Sequence, residues 1–532
     1  MINTNWNQII RILQFAGYAI IFASLPLSNF FMSFGMFWLA GVWLVQVATD
    51  ISQKKKFRQR WDQFITQRAA WLIMLIFTMA LAGLLWTEDF HHAGWDLRMK
   101  LPLLIMPFIL GTLNPLNTTE YRRLLGIFLL SLTFATIWCL LIYWHIVPKA
   151  YTDVRDISVF ISHVRFSLLL VTGIVILVFE AWNRPYGKAL TILLSALYLL
   201  FLMVIGSMTG LAVLLVIMAY MVFTHFKSAL ATRGGIVLLT VAGLLFISCA
   251  GYVTMSWNQY FDVEPLNTEV LEKTTRRGEV YEHNADYPMI EDGHYMMTHI
   301  AWGELYQSWK ERSSIDPDSA DGRGHLLKGT LIRYLASRGL YKDADGVAAL
   351  SDADVKAIES GVTGIHENSR TGIDKRLNRI FFEYANWKAG GTPNGHSVFQ
   401  RLEFWRAAMH IIFEHPLTGV GTGDVKSAFA ESYADISSTL DPQFRLRAHN
   451  QYLTMWLTYG IAGLALFIYI LCAGWKHPGN KRGLLRIFII IAAMSFLSED
   501  TLESQAGVMF FVMFKLLFTL RREVSHSELR PA

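Results

Sequence analysis

Long apolar runs recur along this chain, and no other feature limits its fold so strongly. Leu190–Ile205, Ile236–Ala250 and Leu484–Phe496 are almost free of charge, with Arg486 the one exception. A helix needs about 20 such residues to cross about 30 Å of hydrocarbon. Inside lipid every backbone N–H and C=O must find its partner within the protein, so these runs predict helices. The alternation over segments of about ten residues that marks a membrane β-barrel is not seen. Apolar residues make up 53% of the 532-residue chain and charged residues 17%. The expected fold class is an all-α polytopic membrane protein.

Twelve transmembrane segments are expected, at 8–26, 29–48, 69–86, 100–115, 122–145, 161–181, 188–206, 208–224, 235–255, 450–474, 484–500 and 505–520. The first is read as a span rather than a signal peptide. Arg11 is its only nearby cation, no small-x-small cleavage site follows, and a second apolar run comes directly after. Cations in connecting loops mark the cytoplasmic side. Lys54, Lys55, Lys56, Arg58 and Arg60 follow the second span, and Arg122 and Arg123 follow the fourth. Arg184 and Lys188 follow the sixth, Lys227 and Arg233 the eighth, Lys476, Lys481 and Arg482 the tenth, and Arg521 and Arg522 the last. All fall on one face if both termini are cytoplasmic. The connections Pro26–Asn29, Gly206–Gly210 and Ser498–Gln505 carry no Lys or Arg.

Four regions follow: spans 1–9 in residues 1–255, a large, mainly helical periplasmic loop between spans 9 and 10 at 256–448, spans 10–12 in 449–520, and a cytoplasmic tail at 521–532. Within the loop, helices are expected over His299–Lys310, over Gly324–Arg338 with a stop near Gly339, and over Ser351–Glu359. In the last, Ser351 and Asp354 have capping-box spacing. Arg401–Phe413 is amphipathic, with Leu402, Trp405, Ala408, Met409 and Ile412 on one face. The cysteines Cys139, Cys249 and Cys472 all lie in spans, where they read as small apolar fillers. The loop therefore has no disulfide framework and no thiolate zinc site. The net charge of +5 is scattered between spans and does not point to nucleic acid.

Three stretches of the outer face carry chemistry. The first is Gln400–Arg406 followed by Pro416–Asp424. Its helix presents guanidinium groups, and its glycine run can turn tightly and expose N–H groups to an anion. The second is Arg445–Leu453, where His449 stands at the mouth of span ten beside two arginines. It reads either as a general base or as the cap of that helix. The third is Ser498–Gln505, in which Glu499, Asp500 and Glu503 are placed to orient an acceptor, to pair with arginines, or simply to cap helices. His91-His92 and the set His283, His294 and His299 lack the spacing of a zinc site, so no metal is expected. The spans hold almost no ionisable residues, Lys515 being the clearest exception, which argues against a coupled transporter.

The stretch Gln400–Asp424 together with Arg447–Leu464 resembles the signature of the O-antigen ligase and O-antigen polymerase superfamily. It has an Arg-x-x-x-Trp helix, a Pro-Leu-x-Gly-Val-Gly turn, and a His-Asn-x-x-Leu at a helix mouth that runs on to Gly-Ile-x-Gly. His163–Ser167 and Glu499–Gly507 resemble members from the Bacteroidota. The resemblance implies transfer of a glycan from an undecaprenyl-diphosphate carrier to an acceptor hydroxyl at the periplasmic face of the bacterial inner membrane, without metal, nucleotide or other cofactor. It makes His449 the catalytic residue and Arg401 a binder of the donor diphosphate. The family's second arginine is expected at the mouth of span eight, but Gly206-Ser207-Met208-Thr209-Gly210 has none there. Arg165, then Arg447, are the substitutes, with Glu499, Glu503, Asn450 and Trp405 in supporting roles.

Ligation of O-antigen to lipid A–core is the expected reaction, with inversion at the anomeric carbon. Alternatives within the superfamily are glycan polymerisation and protein O-oligosaccharyl transfer. The expected partners are the lipid-diphosphate-linked glycan, a glycan or lipid A–core acceptor, and membrane lipids. A lipid or glycan transporter, the reading from a different class, would show two related halves and a charged cavity, and neither is seen.

Overall fold

The computed structural model describes residues 2–51, 54–151, 153–182, 184–368, 372–476 and 482–520. The expected tail at 521–532 and Lys481 lie outside them. The described residues are mostly helical. In order come α1 (Ile2–Ser24), α2 (Asn29–Ile51), α3 (Lys54–Thr66), α4 (Arg68–Ala82), α5 (Phe90–Lys100), α6 (Pro102–Thr112) and α7 (Thr118–Tyr143). Next are α8 (His163–Ile176), α9 (Gly187–Val204), α10 (Met208–Leu230), α11 (Arg233–Phe261), α12 (Trp302–Arg312), α13 (Leu327–Ser337) and α14 (Ala344–Ala348). The last seven are α15 (Asp352–Glu359), α16 (Gly372–Lys388), α17 (Ser397–Glu414), α18 (Val425–Asp435), α19 (Gln451–Cys472), α20 (Arg482–Ser498) and α21 (Gln505–Thr519). One two-stranded antiparallel ribbon, β1 (Ile290–Glu291) with β2 (His294–Tyr295), is the only sheet among the described residues.

Each of the twelve expected spans coincides with a helix. Among the described residues eight helices are long and apolar enough to cross a membrane, and α20 and α21 are apolar but shorter. Hydropathy did not announce α3 and α5, because both are polar helices in connections read as loops.

The contacts divide the chain into two units. The first comprises Met1–Tyr220, Glu403–Ser438 and Arg445–Ala532, and the second Met221–Leu402 with Thr439–Phe444. In the first unit α21 is buried on nearly every side, as a helix apolar almost all round must be when it forms a core. Phe514 makes ring contacts with Phe22, Phe128, Phe488, Phe510 and Phe518. Lys515, the charge that stood out in this span, donates to the carbonyls of Ile470 (2.6 Å) and Leu471 (2.8 Å), which lie in the last turn of α19. It is a C-terminal helix cap.

In the second unit α12 to α15 enclose a core of Trp309, Leu331, Leu335, Val347 and Ile358 with Met289 and Met296. The capping box at Ser351 and Asp354 forms as expected. Gly339 ends the α13 region with φ +66°. The helix expected from His299 starts at Trp302 instead: His299 has φ +53°, and the next residue, Ile300, bridges to Glu282 and Lys342. On α17 the buried residues are Phe399, Phe404, Ala407, Ala408, Ile411 and Ile412, whereas of the expected apolar face Leu402 is exposed and Trp405 and Met409 are half-buried.

Candidate active site

The site residues of the first unit come together at the start of α19. Asn450 is the N-cap of that helix, its Oδ1 accepting from the N–H groups of Tyr452 and Leu453. The cap is therefore not His449, whose ring is left for another use. His449 sits in the left-handed region at φ +46°, which few non-glycine residues adopt. Three contacts hold it there. Its backbone N–H donates to Asp500 Oδ2 at 3.0 Å, and the same carboxylate accepts from Thr454 Oγ1 at 2.7 Å. Its Nδ1 lies 3.3 Å from Glu499 Oε2. Its ring centroid is 5.7 Å from that of Phe404. Trp405 braces the preceding residue, its Nε1 donating to the Ala448 carbonyl at 3.0 Å.

The two arginines expected to flank this histidine face elsewhere. Arg445 lies over the ring of Tyr433. Arg447 Nη1 donates to Glu503 Oε2 at 3.2 Å. Glu503 is the hub of a buried ionic cluster. Lys100 Nζ is 2.9 Å from its Oε1 and 2.6 Å from Asp96 Oδ2, and the Lys100 side chain is only 3% exposed. Gln451 ties the same loop to α19, its Oε1 accepting from the Leu502 N–H at 2.8 Å.

Burial alone would raise the Glu503 carboxyl, but Lys100 and Arg447 hold it well below the usual carboxylate range. Burial raises Asp500, against its bond from Thr454. For Arg447 burial opposes the charge, but Glu503, Asp96 and Asp500 outweigh it, so the guanidinium stays protonated.

Arg165, near the start of α8, has no hydrogen-bond partner among the described residues and lies within electrostatic reach of Glu499. Glu499 thus links Arg165 and His449. Met208, where the second arginine was expected, begins α10. Arg401 belongs to the second unit. It lies on α17 one turn before Trp405, and its Nη1 donates to the Ser397 carbonyl at 3.2 Å. The structure therefore brings together His449, Arg447, Glu499, Glu503, Asn450 and Trp405, with Arg165 reaching them through Glu499.

Asp96 and Lys100 were missed by sequence reasoning. Their i,i+4 spacing on a polar segment was the available signal. Asp500 lay within a stretch that had been singled out but was not given its own role.

The glycine run corrects an expectation. The N–H groups of Val420 and Gly421 donate to the carbonyls of Leu457 and Thr458, at 2.8 and 3.0 Å, and that of Thr422 to the Gly83 carbonyl at 3.4 Å. The Gly423 N–H donates to Thr87 Oγ1 at 3.3 Å. These four amides are satisfied internally and do not form an anion cradle. Asp424 continues the same docking, its carboxylate accepting from the N–H groups of Glu88 and Asp89. On the other side of the contact α19 breaks at Gly460, with φ +69° and ψ −173°. The glycine run supplies donors to two carbonyls just ahead of that break.

Residues 361–468 match the family model described as O-antigen ligase. The match covers Arg401, Trp405, the glycine run, His449 and Gly460. No curated protein matches the chain.

Proposed function

We propose, on the premise that this chain belongs to the O-antigen ligase superfamily, that it is a membrane glycosyltransferase. It moves a glycan from an undecaprenyl-diphosphate carrier to an acceptor hydroxyl at the periplasmic face of the inner membrane. The reading rests above all on one observation: His449 is not the helix cap, but is clamped through its backbone by Asp500 and through Nδ1 by Glu499.

The chemistry follows from that clamp. Glu499 favours the tautomer with the proton on Nδ1, leaving the Nε2 lone pair for the acceptor. Nε2 takes the hydroxyl proton as the oxygen attacks the anomeric carbon. The C–O bond to the diphosphate breaks on the opposite side, so the configuration inverts. Arginine guanidinium groups neutralise the charge that builds on the departing diphosphate, and no metal is needed for this. Arg165 and Arg447 are the candidates in the first unit, and Arg401 is carried over from the family signature. The carrier already holds an activated glycosyl bond, so no nucleotide is consumed.

Ligation to lipid A–core is the preferred reaction; polymerisation and protein glycosylation differ from it in the acceptor. The experiment is transfer from a lipid-diphosphate-linked glycan to lipid A–core, to free glycan or to protein, by the purified full chain in metal-free, nucleotide-free buffer. Product with lipid A–core supports ligation. Product only with glycan or protein reassigns the acceptor, and no product with any of the three refutes the reading.

A further inference from the structure

The cluster beneath Arg447 lies beside the start of α19, whose cap is Asn450. It has an unusual composition for the outer end of an apolar bundle: two carboxylates, Asp96 and Glu503, and two cations, Lys100 and Arg447. The Lys100 side chain is 3% exposed and that of Glu503 10%, whereas that of Arg447 is 38% exposed. Charge is balanced across these four groups, Asp500 being a further carboxylate that acts on Arg447 but is held by the His449 N–H and Thr454, and the partly exposed member of the four is the arginine.

Arg447 has five N–H donors. Among the described residues only Nη1 is bonded, to Glu503. The edge formed by Nε and Nη2 remains open, and that edge matches two oxygens of a phosphate. A guanidinium anchored at one end by a buried carboxylate has few orientations left, so its free edge is aimed before any ligand arrives.

We propose that Asp96, Lys100 and Glu503 form a buried, charge-balanced mount that positions Arg447 to grip the donor diphosphate. Lys100 is the key to it. With Lys100 present, one negative charge of the buried pair is already neutralised, and Arg447 needs to meet only the other. Without Lys100, two carboxylates face a single cation. The guanidinium is then drawn inward onto both, and its open edge is lost. Asp96, Lys100 and Glu503 are positioning residues, since none of them reaches outward as Arg447 does. The inference rests on the proposed glycosyl transfer, because that reaction supplies the diphosphate.

The test uses the full chain in detergent and compares binding of undecaprenyl diphosphate with binding of undecaprenol, which lacks the phosphates. The wild type should prefer the diphosphate, and Arg447→Gln should reduce that preference. Lys100→Met should reduce it by a similar factor, at least about tenfold, the equivalent of one lost charge-assisted contact. Lys100→Met with Asp96→Asn restores the charge balance and should recover most of the preference.

If Lys100→Met binds the diphosphate like wild type while Arg447→Gln does not, the mount is refuted and the transfer reading stands. Should Lys100→Met fail to fold, Glu503→Gln decides: it removes the charge that holds Nη1, so preference as low as in Arg447→Gln supports the mount and wild-type-like preference refutes it. If the wild type does not distinguish the two lipids, both readings fall.

Discussion

His449 and Glu499 are in contact but are assigned different roles, and paired substitutions separate those roles. His449→Ala removes the proposed base, which typically costs about 10²–10⁴ in rate. Glu499→Gln leaves the proposed base in place and weakens its orientation, along with the charge that acts on Arg165. The contact is 3.3 Å long, between side chains 33% and 25% exposed, so solvent screens it. A pair of that kind contributes no more than about 1 kcal/mol, which corresponds to about fivefold in rate. His449→Ala should therefore fall at least about tenfold below Glu499→Gln. The assay is turnover at saturating donor, with membrane insertion of each variant checked by quantitative immunoblot. Near-normal turnover in His449→Ala would show that the histidine is not the base. Equal losses in the two variants would transfer the role of base to the carboxylate, because an orienting group seen through so much solvent cannot account for a loss that large.

Two predictions concern stability. Gly460→Ala places a methyl group 1.8 Å from the Leu417 carbonyl oxygen, at a residue with φ +69°; it should destabilise the protein by well over about 1 kcal/mol, whereas Gly126→Ala, whose added methyl meets nothing within 4 Å on α7, should not. Thermal unfolding in detergent checks both. The second unit should weaken in acid. Burial, then His283 and Lys342, depress His299 to about 4, and burial, then Arg333 and Arg379, depress His396 to about 4. Their contribution is present above about 6.5 and is lost as pH falls from there through the depressed values, because the unfolded chain takes up protons that the folded chain refuses. Hydrogen exchange at pH 7 and pH 5 should show faster opening around Tyr281–Tyr341 at the lower pH. Unchanged protection there would contradict the burial argument.

How much of this was visible in the sequence depends on the range of the interaction. Hydropathy placed every expected span on a helix, eight of the described helices being long and apolar enough to cross a membrane, because apolar runs are a local property. The capping box at Ser351 and Asp354 formed because its partners are three residues apart. His449, Arg447, Glu499 and Glu503 were singled out by their chemistry at helix mouths, and the structure brings them together. Charge pairing between distant residues left no such trace. Lys100 meets Glu503 across 403 positions, and Asp96 was an unremarkable aspartate on a polar segment. The buried face of α17 is rotated from the expected one: Ala408 and Ile412 are buried as expected, but Leu402 is exposed, Trp405 and Met409 are half-buried, and Phe404, Ala407 and Ile411 are buried instead, because periodicity finds an apolar stripe more reliably than its edges.

The glycine motifs were misread because they were taken separately. Read alone, Pro416–Asp424 is a tight turn with amides to offer an anion, and Tyr459–Gly463 is a helical stretch with two glycines. In the structure each explains the other. A helix that breaks at Gly460 inside an apolar bundle loses its own donors for the carbonyls before the break, and water is not at hand to replace them. Val420 and Gly421 supply those donors, and the Ile461 N–H after the break donates to the Pro416 carbonyl at 3.0 Å. Such an exchange requires backbones in close contact. A methyl group on Gly419 would stand 2.4 Å from the Thr458 carbonyl carbon, and one on Gly423 2.0 Å from the Asp89 carbonyl oxygen. The glycines are therefore there for close approach rather than for motion. They fix the first half of α19, and with it His449, against the segment that leads into α5, which carries Asp96 and Lys100. The glycine run thus bears on the proposed catalysis through position: it holds His449 and the cluster beneath Arg447 to one frame.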